Sequence, residues 1–114
     1  MKQEKIAIVL EKNGMGVADI QLSTTLIKNY FGLIVQGELS PNYICFYAEG
    51  VKLVIEGSPI LEELKILEEK GIKLIICKTC LVYYNIVEEV KVGAIGSMLD
   101  IINIQKNSTK VITL

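Results

Sequence analysis

The chain has 114 residues, a formal net charge of −1, and 51% apolar against 22% charged residues. That length suits one domain, residues 1–114, able to bury a core without staples, and the charge implies neither a nucleic-acid groove nor an anionic membrane surface. So high an apolar fraction predicts extra apolar surface, which self-association is the usual way to cover.

No run approaches the roughly 20 apolar residues of a membrane span. Met1-Lys2-Gln3-Glu4-Lys5 leads into a short strand rather than a secretory segment, so a reducing cytoplasm is the expected location. Three cysteines, an odd number, also argue against a disulfide framework.

Ile6 to Leu10 is short and continuously apolar, the pattern of a strand covered on both faces. Glu11 to Gly16 follows as a loop. Its Gly-x-Gly lacks a third glycine or a Walker lysine-serine pair and reads as a turn needing positive φ. Asp19 caps a predicted helix to about Val35. Ile20, Ile27, Tyr30, Phe31 and Ile34 form one apolar stripe on it, and Leu22, Leu26 and Leu33 a second. The second stripe exceeds what packing on one sheet requires: either both layers are core or, the reading preferred, the second meets another subunit. Gly37, Pro41 and Asn42 mark a loop before a second strand, Tyr43 to Tyr47, in which Cys45 reads as an inert core residue.

Val51 to Ile55 reads as a further short extended piece. Ser58-Pro59 starts a helix, with Ser as cap and Pro at the first helical position. Ile60, Leu61, Leu64 and Leu67 are its buried face, and Gly71 ends it. Leu74 to Ile76 leads a β-branched run into Cys77, so a buried strand ends there and a short helix starts after Lys78. Leu81 to Val90 reads as helical and Val92 to Ile95 as a strand. Ser97 caps a helix through about Asn107, with Met98, Leu99, Ile101, Ile102 and Ile104 as its apolar side. Val111 to Leu114 is a last strand. The alternation predicts an α/β domain: a three-layer α/β/α architecture with a mostly parallel sheet of about five strands.

Chemistry concentrates at Cys77-Lys78-Thr79-Cys80. Zinc needs four ligands, and three cysteines with no histidine do not supply them; no metal or other cofactor is expected. A dithiol redox motif fits C-x-x-C at a helix start, with the thiols at i and i+3 on one face. Against it, no aromatic residue precedes the first Cys, and Pro41 and Pro59 both precede the motif. Two semi-buried thiols without a task are the third reading. It loses ground because both fall at a strand's carboxyl end, where open α/β sheets place ligands.

The segment from Gly71, with Cys77-Lys78-Thr79-Cys80-Leu81, resembles the DsrE/DsrF-like sulfur-transfer family. It is most similar to the DsrE-like half of the sulfurtransferase-like selenium-metabolism proteins, whose pattern is Cys-Gly-Thr-Cys-Leu between strand and helix. Gly50-Val51-Lys52-Leu53 to Gly57-Ser58, Leu61-Glu62-Glu63-Leu64 to Gly71, and Val92-Gly93 to Met98-Leu99-Asp100-Ile101 resemble further parts of it in order. The resemblance implies a small α/β/α domain that forms homotrimers or homohexamers. It also implies a cysteine at the strand end, the position of Cys77, that accepts sulfur as a persulfide, and a TusA-like sulfur-carrier protein as a possible partner. The chain departs from the family at Lys78, in place of glycine, and at Tyr84-Asn85, where several relay members carry arginine-glycine. Ala48 and Ser97 stand where the selenium-associated proteins often carry asparagine.

A persulfide carrier needs a nucleophilic thiolate, partial exposure and N–H donors for the anion. No histidine or acidic neighbour offers a general base, which leaves the helix start, Lys78 and Thr79 as support. Cys77 is expected to be the acceptor, with the first helical N–H groups aimed at its sulfur, and Cys80 a secondary, resolving thiol. A thiol/disulfide redox or sensing protein using Cys77 and Cys80 remains open, as does a structural or regulatory oligomer.

Overall fold

The structure, a computed structural model, describes residues 4–114; Met1 to Gln3 of the N-terminal reading lie outside the described residues. Five strands form one sheet: β1 (Ile6–Leu10), β2 (Tyr43–Phe46), β3 (Lys73–Cys77), β4 (Ala94–Gly96) and β5 (Lys110–Thr113), in the order β4-β3-β2-β1-β5. Every pairing is parallel. The helices are α1 (Ile20–Val35), α2 (Leu61–Glu69), α3 (Lys78–Tyr83) and α4 (Met98–Asn107). The chain steps one way from β1 to β4 and then crosses back to β5. Right-handed crossovers therefore place α1 and α2 on one face and α4 on the other. All five residues of β1 are buried, as a central strand covered on both faces requires. Ile8 and Leu10 of this strand share the core with Ile27, Phe31, Ile44 and Phe46.

Asp19 caps α1 by accepting the Leu22 N–H at 2.9 Å, and Ser97 with Asp100 forms a reciprocal capping box on α4. Ile27, Phe31 and Ile34 are buried as expected. Ile20 is not: it lies in the first turn and is 68% exposed. Leu22, Leu26 and Leu33 stand exposed as the second stripe. On α4 the apolar side splits. Ile101 is buried, while Met98, Leu99 and Ile102 face outward.

Four elements differ from the sequence reading by more than one residue at a boundary or in type. The 51–55 piece is not extended; Ala48–Val54 forms a 3-10 helix. The second helix starts at Leu61 rather than Pro59, because the Ser58 hydroxyl accepts the Ile60 N–H in a turn and Ile60 is not helical. The helix read over 81–90 is instead α3, which begins at Lys78 and ends before Asn85, whose φ of +58° breaks it; Val87–Glu89 is a separate 3-10 turn. The fourth strand begins at Ala94 rather than Val92. Gly93, at φ +87° and against Leu74 and Ile76, makes a turn that a strand residue could not.

Candidate functional site: the Cys77–Cys80 pair

Cys77 is the last residue of β3, paired with Gly96 of β4, and the very next residue opens α3. Cys77 is thus the N-cap and Cys80 the third helical residue, so the helical i, i+3 relation stacks their side chains. The sulfurs lie 3.4 Å apart, the Cys80 thiol donating to the Cys77 sulfur, and both are free thiols. Cys77 is only 1% exposed; Cys80 is half-buried. Two expectations therefore need correction. Cys77 is not partly exposed, because it still belongs to the sheet and its side chain joins the core. Nor does its sulfur accept a hydrogen bond as N-cap from the first helical N–H groups.

The backbone donor at the site comes from elsewhere and serves the other thiol. The Ala48 N–H donates to Cys80 Sγ at 3.1 Å. Ala48 has φ +50°, a left-handed conformation that costs a residue with a Cβ about 1–2 kcal/mol. It is held there by the 3-10 segment it opens. Gly50 in that segment lies so close to the end of β1 that a Cβ would collide with the Leu10 carbonyl. Val51, Leu53 and Val54 anchor the segment in the core. Lys52 Nζ sits 4.5 Å from the centre of the Tyr84 ring, tying the segment to the end of α3. Burial pushes the Cys80 thiol above its ordinary range. The Ala48 N–H opposes this, and the bond to Cys77 together with its charge adds to it.

Lys78 is exposed. With Thr79 it lines a cleft of about 610 Å³ that includes Val82, Ile95, Gly96 and the start of α4, but neither thiol. The structure thus brings Cys77 and Cys80 together and leaves Lys78 and Thr79 facing another cleft. Cys45 is buried in β2, where desolvation pushes its thiol up to about 11, as suits a core residue. Gly14 and Gly16 have φ of +148° and +79°, the turn expected of them. The helix after them is capped by the Asp19 carboxylate, which would repel a phosphate at that terminus. Among the described residues no group of three or more His, Cys, Asp or Glu side chains could hold a metal ion, and no helix is long and apolar enough to cross a membrane.

Ala48, Gly50, Lys52 and Tyr84 were missed by the sequence reading as site residues.

A five-stranded parallel sheet flanked by helices, with a thiol pair where β3 passes into α3, is the setting in which the comparisons fall. The chain belongs to the DsrE/DsrF-like family, whose family model matches residues 4–114. Among solved structures it is similar to the ychN protein from E. coli, at 21% identity and TM-score 0.72, covering 98% of this chain and 100% of that one. A protein of unknown function from Methanobacterium thermoautotrophicum matches at 14% identity and TM-score 0.69, over 98% and 100% of the two chains. A conserved protein of unknown function from Bacteroides thetaiotaomicron matches at 16% identity and TM-score 0.67, over 96% and 95%. Likeness at these identities speaks for the fold. None of the curated proteins matches the chain.

Proposed function

We propose that this protein is a sulfur-relay carrier that holds sulfur as a persulfide on Cys77 and passes it on with the help of Cys80. The observation that carries this reading is the 3.4 Å contact between two free thiols at the carboxyl end of β3, in a chain of the DsrE/DsrF-like family. A sulfur relay moves one sulfur between thiols, so it requires two sulfurs within reach and no metal or hydrolytic base. The core around Cys77 would keep reductants from a stored persulfide, while the half-buried Cys80 faces outward.

The reading extends to assembly and partners. The exposed Leu22, Leu26 and Leu33 stripe on α1 supports association with further copies, a trimer or a hexamer. A TusA-like carrier is the proposed exchange partner. The same 3.4 Å contact favours a second reading, a dithiol that cycles to a Cys77–Cys80 disulfide. Intact-mass measurement after incubation with inorganic polysulfide separates them. A gain of about 32 Da that is absent when Cys77 and Cys80 are both replaced by serine supports the carrier. Loss of two hydrogens, reversed by dithiothreitol, supports the redox protein and overturns the carrier.

A further inference from the structure

The exposure of the two sulfurs divides between them the roles of a protected persulfide store and a port for a docking partner. A sulfur-for-sulfur exchange is a displacement in which the attacking sulfur approaches along the S–S bond it breaks. A donor carrying its own bulk behind that bond must reach the attacking sulfur directly. Cys77, 1% exposed and part of the core, offers no such approach. Cys80 is half-buried, 3.4 Å from Cys77, and carries the site's backbone donor, the Ala48 N–H at 3.1 Å. That N–H is fixed by a left-handed residue and by Gly50 pressed against β1, so it is rigid before any ligand arrives.

Resting on the carrier reading, we infer that Cys80 is the port through which sulfur reaches this protein, and that Cys77 receives it only from Cys80. The reaction runs in two displacements and starts once the two thiols have given one proton to solvent, leaving one proton between the sulfurs. In the first, Cys80 attacks the terminal sulfur of a persulfide donor. The donor's S–S bond breaks, a new S–S bond forms on Cys80, and the donor leaves as a thiolate. The shared proton, already pointed at Cys77, moves onto the Cys77 sulfur. In the second, the two cysteine sulfurs part beyond their resting 3.4 Å to admit the third in line, and Cys77 attacks that terminal sulfur on Cys80, forming the Cys77 persulfide and breaking the bond to Cys80. The proton returns from Cys77 to the Cys80 sulfur, beside the Ala48 N–H. No net oxidation or reduction occurs, and the products are a donor thiolate, a Cys77 persulfide and a Cys80 thiol. Delivery to an acceptor thiol is the same path reversed.

Trypsin cleaves after Lys73, Lys78 and Lys91, which puts the two thiols on separate peptides, 74–78 and 79–91. The test is a rapid-quench time course with glutathione persulfide as donor, each time point trapped with iodoacetamide and digested. In the unsubstituted protein the added sulfur should appear first on 79–91 and then move to 74–78. In Cys77→Ser it should stay on 79–91. In Cys80→Ser, loading of Cys77 should slow by roughly tenfold or more, since the buried sulfur then waits on local opening. Sulfur appearing on 74–78 first, or Cys80→Ser loading Cys77 at the unsubstituted rate, overturns the port while leaving the carrier standing. No added sulfur on either peptide overturns the carrier itself.

Discussion

Gly50→Ala and Ala48→Gly, two residues apart, are expected to change stability in opposite directions. A Cβ at Gly50 meets the Leu10 carbonyl and the Glu11 amide, both backbone. The Leu10 carbonyl is also fixed, because it accepts the Tyr47 N–H at 3.1 Å. Neither side yields as a side chain would, so the 3-10 segment must lift, and buried Val51, Leu53 and Val54 move with it. Overpacking costs about 1–3 kcal/mol, and a clash with fixed backbone belongs at the upper end, ~3 kcal/mol. With a melting entropy of about 0.24 kcal/mol/K for a chain of this length, that is a Tm roughly 12 °C lower. Ala48→Gly removes the left-handed penalty of about 1–2 kcal/mol and adds about 0.5–1 kcal/mol of glycine entropy. It should therefore be neutral or stabilising by up to ~1.5 kcal/mol, although Ala→Gly in ordered chain usually destabilises. Urea unfolding followed by circular dichroism gives both values. Native-state alkylation of Cys80 should also quicken in Gly50→Ala, as the Ala48 N–H leaves its sulfur. Gly50→Ala within ~0.5 kcal/mol of the parent, or Ala48→Gly more than ~1 kcal/mol less stable, would refute the geometry argued for this segment.

Leu26→Glu puts a charge in the exposed stripe of α1 and should dissociate the proposed trimer or hexamer; light scattering showing a monomer before the substitution, or an unchanged mass after it, would contradict this. Asp19→Ala removes the cap that accepts the Leu22 N–H and should cost about 1 kcal/mol in urea unfolding, with Asp19→Asn largely retaining it. The folded Cys45 thiol keeps its proton to about pH 11, whereas an ordinary thiol releases it near 9.0. The unfolded chain therefore loses that proton first, and stability should decline as pH rises between those values. Burial raises Tyr30, Tyr47 and Cys80 in the same direction, so Cys45→Ala should flatten the decline without abolishing it.

What the sequence made legible follows from how local each signal is. The continuous apolar runs of β1 and β3, the Asp19 and Ser97 caps and the Gly71 stop depend on a few adjacent residues, and they lie where read. The 48–54 segment was misread because its apolar residues, Val51 to Val54, suit a strand as well as a buried 3-10 turn. What decides between them is Gly50 against β1, a contact between residues 40 positions apart in sequence. The site divided in the same way. Cys77 and Cys80 stood out by spacing, and their contact follows from a strand passing directly into a helix. The reversal of exposure between them did not, because burial of Cys77 depends on the core of a whole sheet and the Ala48 donor arrives from a different crossover. Lys78 is adjacent to Cys77 in sequence, but it lines a cleft that includes neither thiol.

The central claim, that this protein carries sulfur on its thiol pair, is tested most directly in the cell that makes it. The chain is alkylated at the moment of lysis, purified and digested, and the masses of peptides 74–78 and 79–91 are read. The account expects a fraction of 74–78 to carry one extra sulfur, about 32 Da, removed by dithiothreitol before alkylation. Peptides 74–78 and 79–91 recovered only as alkylated thiols or joined by a disulfide, with no extra sulfur on either, would contradict it.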